Sequence, residues 1–152
     1  PELDSGEVCG VPTSFETHKE WKGKKIVVVS IPGAYTPICH QQHIPPLVKR
    51  ADEVKAKGVD AIYVIASNDP YVMSAWGIFN NAKDKVVFAS DLNIAFSKAL
   101  GATIDLSFKD MGERTARYAL IIDDLKVVDF GSDEGDTGKL QNASVETILQ
   151  KL

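Results

Sequence analysis

An α/β fold, a central mixed sheet flanked by helices, is the expectation for this chain. Three observations carry it. Four consecutive β-branched residues, Ile26-Val27-Val28-Val29, form a run that suits a strand buried on both faces. Strand-like and helix-like segments then alternate, which implies parallel crossovers. Late in the chain, two apolar runs flank Asp123-Asp124, the pattern of a hairpin that adds antiparallel pairing.

The elements follow in order. The stretch from Pro1 to Pro12 lacks periodicity and reads as the N-terminal arm of a single domain spanning residues 1–152. Ile26–Ile31 is the first strand. A helix is expected from Cys39 to Lys57, because Leu47, Val48, Ala51 and Val54 fall at helical spacing. Pro45 and Pro46 predict a kink or an irregular first turn within it. Gly58 suits its C-terminal end. Asp60–Ala66 is the second strand. Asn68-Asp69-Pro70 opens a helix, with Pro70 in its first turn, that runs from Tyr71 to Asn80. Lys85–Ala89 is a short strand. Ser90-Asp91 caps a helix over Ile94–Leu100, ended by Gly101. Ala116–Ile122 and Val127–Phe130 form the hairpin, residues 131–142 a polar loop, and Val145–Leu152 the last helix.

The chain has 152 residues, enough to bury one sizeable core. Its net charge of -4 gives no electrostatic case for nucleic acid or anionic membrane as partner. No apolar run is long enough for a bilayer and no signal-peptide core is present. A cytoplasmic compartment is therefore the default. The end Gln150-Lys151-Leu152 shares Lys-Leu with a peroxisomal address but lacks its small first residue. The first residue, Pro1 rather than Met, leaves room for a preceding segment. Two cysteines make no disulfide scaffold, and in a reducing compartment a cysteine is more often catalytic or redox-active than structural.

Cys39 is the leading candidate for chemistry. It stands where a buried strand hands over to a helix N-terminus, whose orphan N–H groups and partial positive charge favour a thiolate. Thr36 lies three residues upstream, within reach of the sulfur. His40, Gln41, Gln42 and His43 make the surroundings polar, against the alternative of an inert buried thiol. A zinc site from Cys39, His40 and His43 is the rival reading. It lacks a second ligand pair, and adjacent helical residues point apart. Arg114 and Arg117 flank the start of an apolar strand, where a guanidinium could lean toward the thiol; for Arg114 a surface pair with Glu113 or Asp110 is the alternative. Trp76 is a core residue by default and a lining of an apolar mouth by alternative. Cys9 could attack an oxidised Cys39 or be a bystander. Residues 131–138 lack a phosphate-loop pattern, no serine-hydrolase elbow occurs, and no cofactor is called for.

Pro32-x-x-x-Thr36-x-x-Cys39 resembles the peroxiredoxin active-site motif. Gly33-Ala34-Tyr35-Thr36-Pro37, His43-Ile44-Pro45, Asn68-Asp69-Pro70-Tyr71-Val72, Ala75-Trp76-Gly77 and Arg114-x-x-Arg117-Tyr118-Ala119 are similar to segments of the type II, or peroxiredoxin-5, subfamily. The resemblance runs from Cys9 to Leu152. It implies a thioredoxin-like fold and a thiol peroxidase acting on hydrogen peroxide and alkyl hydroperoxides without a cofactor. By the same resemblance Cys39 matches the peroxidatic cysteine, Thr36 the hydroxyl that bonds thiolate and peroxide, Pro32 the shield against water, and Arg117 the arginine on the thiolate. Arg114, Gly33, His43 and Trp76 fall around the substrate pocket. Some members carry a resolving cysteine where this chain has Asn142. A fungal subgroup carries it upstream in a Cys-x-x-Pro setting, which Cys9-Gly10-Val11-Pro12 matches. Thioredoxin or a similar dithiol as reductant and a homodimer complete what the resemblance implies. A non-enzymatic thioredoxin-like sensor or binding module is the competing expectation; it needs a reactive thiol but not the donors of Thr36 and Arg117.

Overall fold

Ile26, Val27, Val28 and Val29 are all fully buried, because the strand that holds them lies in the middle of a sheet covered on both faces. The structure is a computed structural model and describes residues 10–133 and 139–152. Cys9 and residues 134–138 lie outside the described residues.

Among the described residues the first element is a single helical turn, α1 (Thr17–Glu20), followed by β1 (Lys25–Ser30). A π-helical turn (Cys39–His43) leads into α2 (Ile44–Lys49) and α3 (Ala51–Ala56), and then β2 (Ala61–Ala66), α4 (Pro70–Phe79) and β3 (Val87–Ser90) follow. A 3-10 turn (Leu92–Ile94) precedes α5 (Ala95–Ala99). The last elements are β4 (Thr103–Asp105), a 3-10 turn (Ser107–Lys109), β5 (Glu113–Thr115), β6 (Tyr118–Asp123), β7 (Lys126–Ser132) and α6 (Val145–Lys151).

The main sheet has the order β3-β2-β1-β6-β7. β1 runs parallel to β2, and β2 to β3, as the crossovers through α2–α3 and α4 require. β6 pairs antiparallel with β1, setting Val28 opposite Leu120, and β7 closes the hairpin on β6. One face buries Val27, Val29, Ile62, Val64 and Ile121 in a cluster with Leu47, Val54, Met73, Trp76 and Ile148 of α2, α3, α4 and α6. The other buries Ile26, Val28, Tyr63, Tyr118 and Leu120 with Trp21 and, from α5, Phe96. Alternate residues of each strand thus serve opposite faces. This is a thioredoxin-like α/β fold, as the sequence leads one to expect.

Four details differ from that expectation. The helix expected over Cys39–Lys57 is three pieces. Pro45 and Pro46 have no N–H, so the ladder before them slips to a wider register in which Ile44 N–H reaches Cys39 O. Arg50 then separates α2 from α3 with non-helical angles. The hairpin tip is Asp124-Leu125, both at positive φ (42° and 66°), one residue beyond the expected Asp123-Asp124. β7 continues through Gly131 and Ser132, so the polar loop starts later. The small antiparallel pair β4–β5, Ile104 opposite Arg114, was not expected at all.

Candidate active site

The loop after β1 is fixed before it reaches the thiol. Ile31 N–H still bonds to Ile65 O at 3.1 Å, continuing the parallel ladder. Thr115 Oγ1 donates to Ile31 O at 2.6 Å, tying β5 to the end of β1. Ala34 N–H donates to Asn68 Oδ1 at 2.9 Å. Pro32 and Gly33 are buried. A methyl group on Gly33 would stand 3.1 Å from Thr36 Cγ2 and 3.7 Å from Arg114 Nη1, so the absence of a side chain lets the loop close over Thr36.

Pro37 and Ile38 are already helical, and His40 N–H bonds to Thr36 O at 2.8 Å. Cys39 therefore sits in the first turn, where orphan N–H groups gather. Its side chain has no solvent exposure. A thiolate in such a place needs a paired charge, since an unpaired buried charge is costly. Arg117 supplies the pair. It is 3% exposed, and its Nη1 stands 3.3 Å from Cys39 Sγ.

The same Nη1 lies 3.0 Å from His43 Nδ1. His43 Nε2 lies 2.7 Å from Ala143 O. A guanidinium only donates and a carbonyl only accepts, so the imidazole is neutral, with its proton on Nε2 and a lone pair on Nδ1. Burial and the Arg117 charge push the His43 pKa down to about 4, which agrees with that tautomer. His43 orients the guanidinium without competing for its charge. The residues concerned are 74 positions apart, and only the crossing of the Cys39 turn with the start of β6 brings them together.

Thr36 Oγ1 donates to Gly33 O at 2.8 Å, which places its proton on the loop. Arg114 Nε donates to Met111 O at 2.8 Å, and Glu113 pairs instead with Lys98 at 3.1 Å. Trp76 is fully buried; its indole packs in the core and reaches the Cys39 turn through Nε1, which donates to His40 Nδ1 at 2.9 Å. The rings of Tyr35 and Phe79 pack on His40. Both imidazoles thus spend ring nitrogens on protein partners, His43 both of them and His40 its Nδ1, which argues against their serving as zinc ligands. Cys9, expected as the resolving thiol, lies outside the described residues. Sequence reasoning missed the His43–Ala143 link, which local spacing cannot signal.

Comparison with known proteins points one way. The Redoxin family profile matches residues 1–149. The "Putative peroxiredoxin" of Malassezia furfur is 82% identical over 152 residues, covering 100% of this chain and 86% of that protein. Peroxiredoxin Pen c 3 of Penicillium citrinum is 38% identical over 152 residues, covering 98% and 87%. The crystal structure of reduced Prx3 from Vibrio vulnificus in complex with hydrogen peroxide superimposes with a TM-score of 0.84 at 36% identity, covering 90% of this chain and 84% of that one.

Proposed function

The chain belongs to the peroxiredoxins of the Redoxin family, thiol peroxidases, and from that premise we propose that Cys39 is its peroxidatic thiol and that hydrogen peroxide is a substrate. The observation that carries the assignment is the 3.3 Å approach of Arg117 Nη1 to a fully buried sulfur.

The reaction is a nucleophilic displacement. Cys39 thiolate attacks one peroxide oxygen; an S–O bond forms and the O–O bond breaks. The sulfur loses two electrons to become sulfenic acid, and the departing hydroxide takes a proton to leave as water. With an alkyl hydroperoxide the departing group is an alcohol. Arg117 holds the thiolate and meets the charge moving onto the leaving oxygen. Thr36 redirects its hydroxyl proton from Gly33 O to the peroxide. Pro32 and Gly33 close the loop against water, and Arg114 stands at its edge.

Cys9 is the proposed resolving thiol, on the strength of its Cys-x-x-Pro setting. It attacks the sulfenic sulfur, expelling water and forming a disulfide that thioredoxin or a similar dithiol reduces by exchange. Bridged Cα atoms stand only ~4.4–6.8 Å apart, so the buried Cys39 turn must unwind to meet it. The exposed rings of Tyr35 and Phe79 beside that turn support a second copy of the chain as partner.

Peroxide consumption with a dithiol reductant tests the assignment. Cys39→Ser abolishes turnover; a Cys39→Ser protein with wild-type turnover overturns it. After one equivalent of peroxide, wild type gives a reducible disulfide that Cys9→Ser lacks; a disulfide that persists in Cys9→Ser removes Cys9 from the cycle.

A further inference from the structure

We infer that Asp133 is a positioning residue for the reaction, acting on Arg117 through the 141–143 segment and His43. The inference rests on the proposed roles of Cys39 and Arg117.

Asp133 is a carboxylate only 5% exposed, immediately after β7. Its Oδ2 accepts from Gln141 N–H at 3.0 Å and Ala143 N–H at 3.1 Å, and its Oδ1 from Asn142 N–H at 2.8 Å. Three consecutive amides on one carboxylate fix the peptide planes up to Ala143 N–H, and the next plane, which carries the Ala143 carbonyl, is tied to them by Ser144 N–H donating to Gln141 O at 3.3 Å. The Ala143 carbonyl receives the His43 Nε2 proton at 2.7 Å. With the proton held there, Nδ1 must accept, and what it accepts from is Arg117 Nη1. The main-chain amide of Asp133 completes a ring by donating to Arg117 O at 3.0 Å. Asp133 thus holds the backbone of Arg117 directly and its guanidinium through one amide segment and one imidazole. Nothing in the chemistry of sulfur and peroxide touches the carboxylate itself. The three amides it gathers offset the cost of its burial.

The experiment reads two quantities, the ring-nitrogen shifts of His43 in a long-range proton–nitrogen spectrum and the rate of Cys39 oxidation by hydrogen peroxide. Both are taken for wild type and Asp133→Asn, and the rate again in a His43→Ala background. Asparagine offers one acceptor atom in place of two, so at least one of the three amides is released. The expected result is a wild-type imidazole protonated on Nε2 and a mixture of tautomers in Asp133→Asn. Oxidation slows about tenfold, a typical coupling for residues in one network. In the His43→Ala background the same substitution changes the rate by less than about twofold, because the path it acts through is gone. An Asp133→Asn protein with wild-type ring shifts and rate overturns the inference, as does equal slowing in both backgrounds, the mark of a general structural role. If Asp133→Asn does not fold, Asp133→Glu shifts the segment by one methylene and gives the same two readings. Should wild-type Cys39 react no faster than an unassisted thiolate, the peroxidatic role fails, and the His43 spectra still decide whether Asp133 sets the tautomer.

Discussion

His43 accepts a hydrogen bond from Arg117 at 3.0 Å and does so as a neutral imidazole buried to 1% exposure. A protonated ring could not accept it, and two cations would face each other out of water. The pair therefore works only while His43 stays uncharged, which its low pKa ensures across the neutral range.

This has a consequence for stability. The folded pKa is about 4 against 6.5 when exposed, so between those values the unfolded chain binds a proton the native chain refuses. Stability then rises with pH through this window, is complete above 6.5, and is lost as pH falls toward 4. The limit is on the order of 3 kcal/mol. His43→Gln can keep both hydrogen bonds and does not titrate, so thermal unfolding from pH 4 to 7 should be flatter for His43→Gln than for wild type. Identical slopes would place the His43 pKa elsewhere.

Trp76 supports the site from inside the core. Trp76→Phe keeps most of the ring and removes the N–H that His40 Nδ1 accepts. The expected cost is about 2–3 kcal/mol of stability, from the lost bond and the cavity left by the smaller ring in the core. The oxidation rate of Cys39 should stay in the same order of magnitude. Chemical denaturation and stopped-flow oxidation separate the two effects; a large loss of rate at unchanged stability would give Trp76 a direct part in the chemistry.

Gly33 is needed for room rather than for a special backbone angle. In Gly33→Ala the new methyl meets Thr36 Cγ2 at 3.1 Å, and either the loop or Thr36 must yield by tenths of an ångström. Misplacing a reacting group by 1 Å costs about a hundredfold, so a loss of about tenfold in peroxide rate is expected at nearly native stability. An unchanged rate would show that the position of Thr36 is not critical.

Much of this was legible in the sequence. β1, β2 and β6 announce themselves as apolar runs because both faces are covered, and Pro70 and Gly58 mark helix ends for reasons of local geometry. Asp69 does the same through its side chain, which accepts from Tyr71 N–H and Val72 N–H. Cys39 and Arg117 were legible as candidates from residue type and place, and the motif that links them to a known family added their pairing. β4 and β5 were not legible, since three-residue strands such as Glu113-Arg114-Thr115 carry no period. The Ala143–His43–Arg117 chain was not legible either. It joins residues 74 and 100 positions apart, and one of its links is a main-chain carbonyl, which every residue possesses.

The central claim is that Arg117 does more than favour the thiolate. Comparing Cys39 oxidation by hydrogen peroxide with its alkylation by a haloacetamide in wild type and Arg117→Ala tests this directly, because both reactions need the thiolate and only the first has a leaving oxygen to stabilise. Arg117→Ala is expected to lose about a hundredfold in the peroxide rate and far less in alkylation. Equal losses in the two reactions, or none in either, would contradict it.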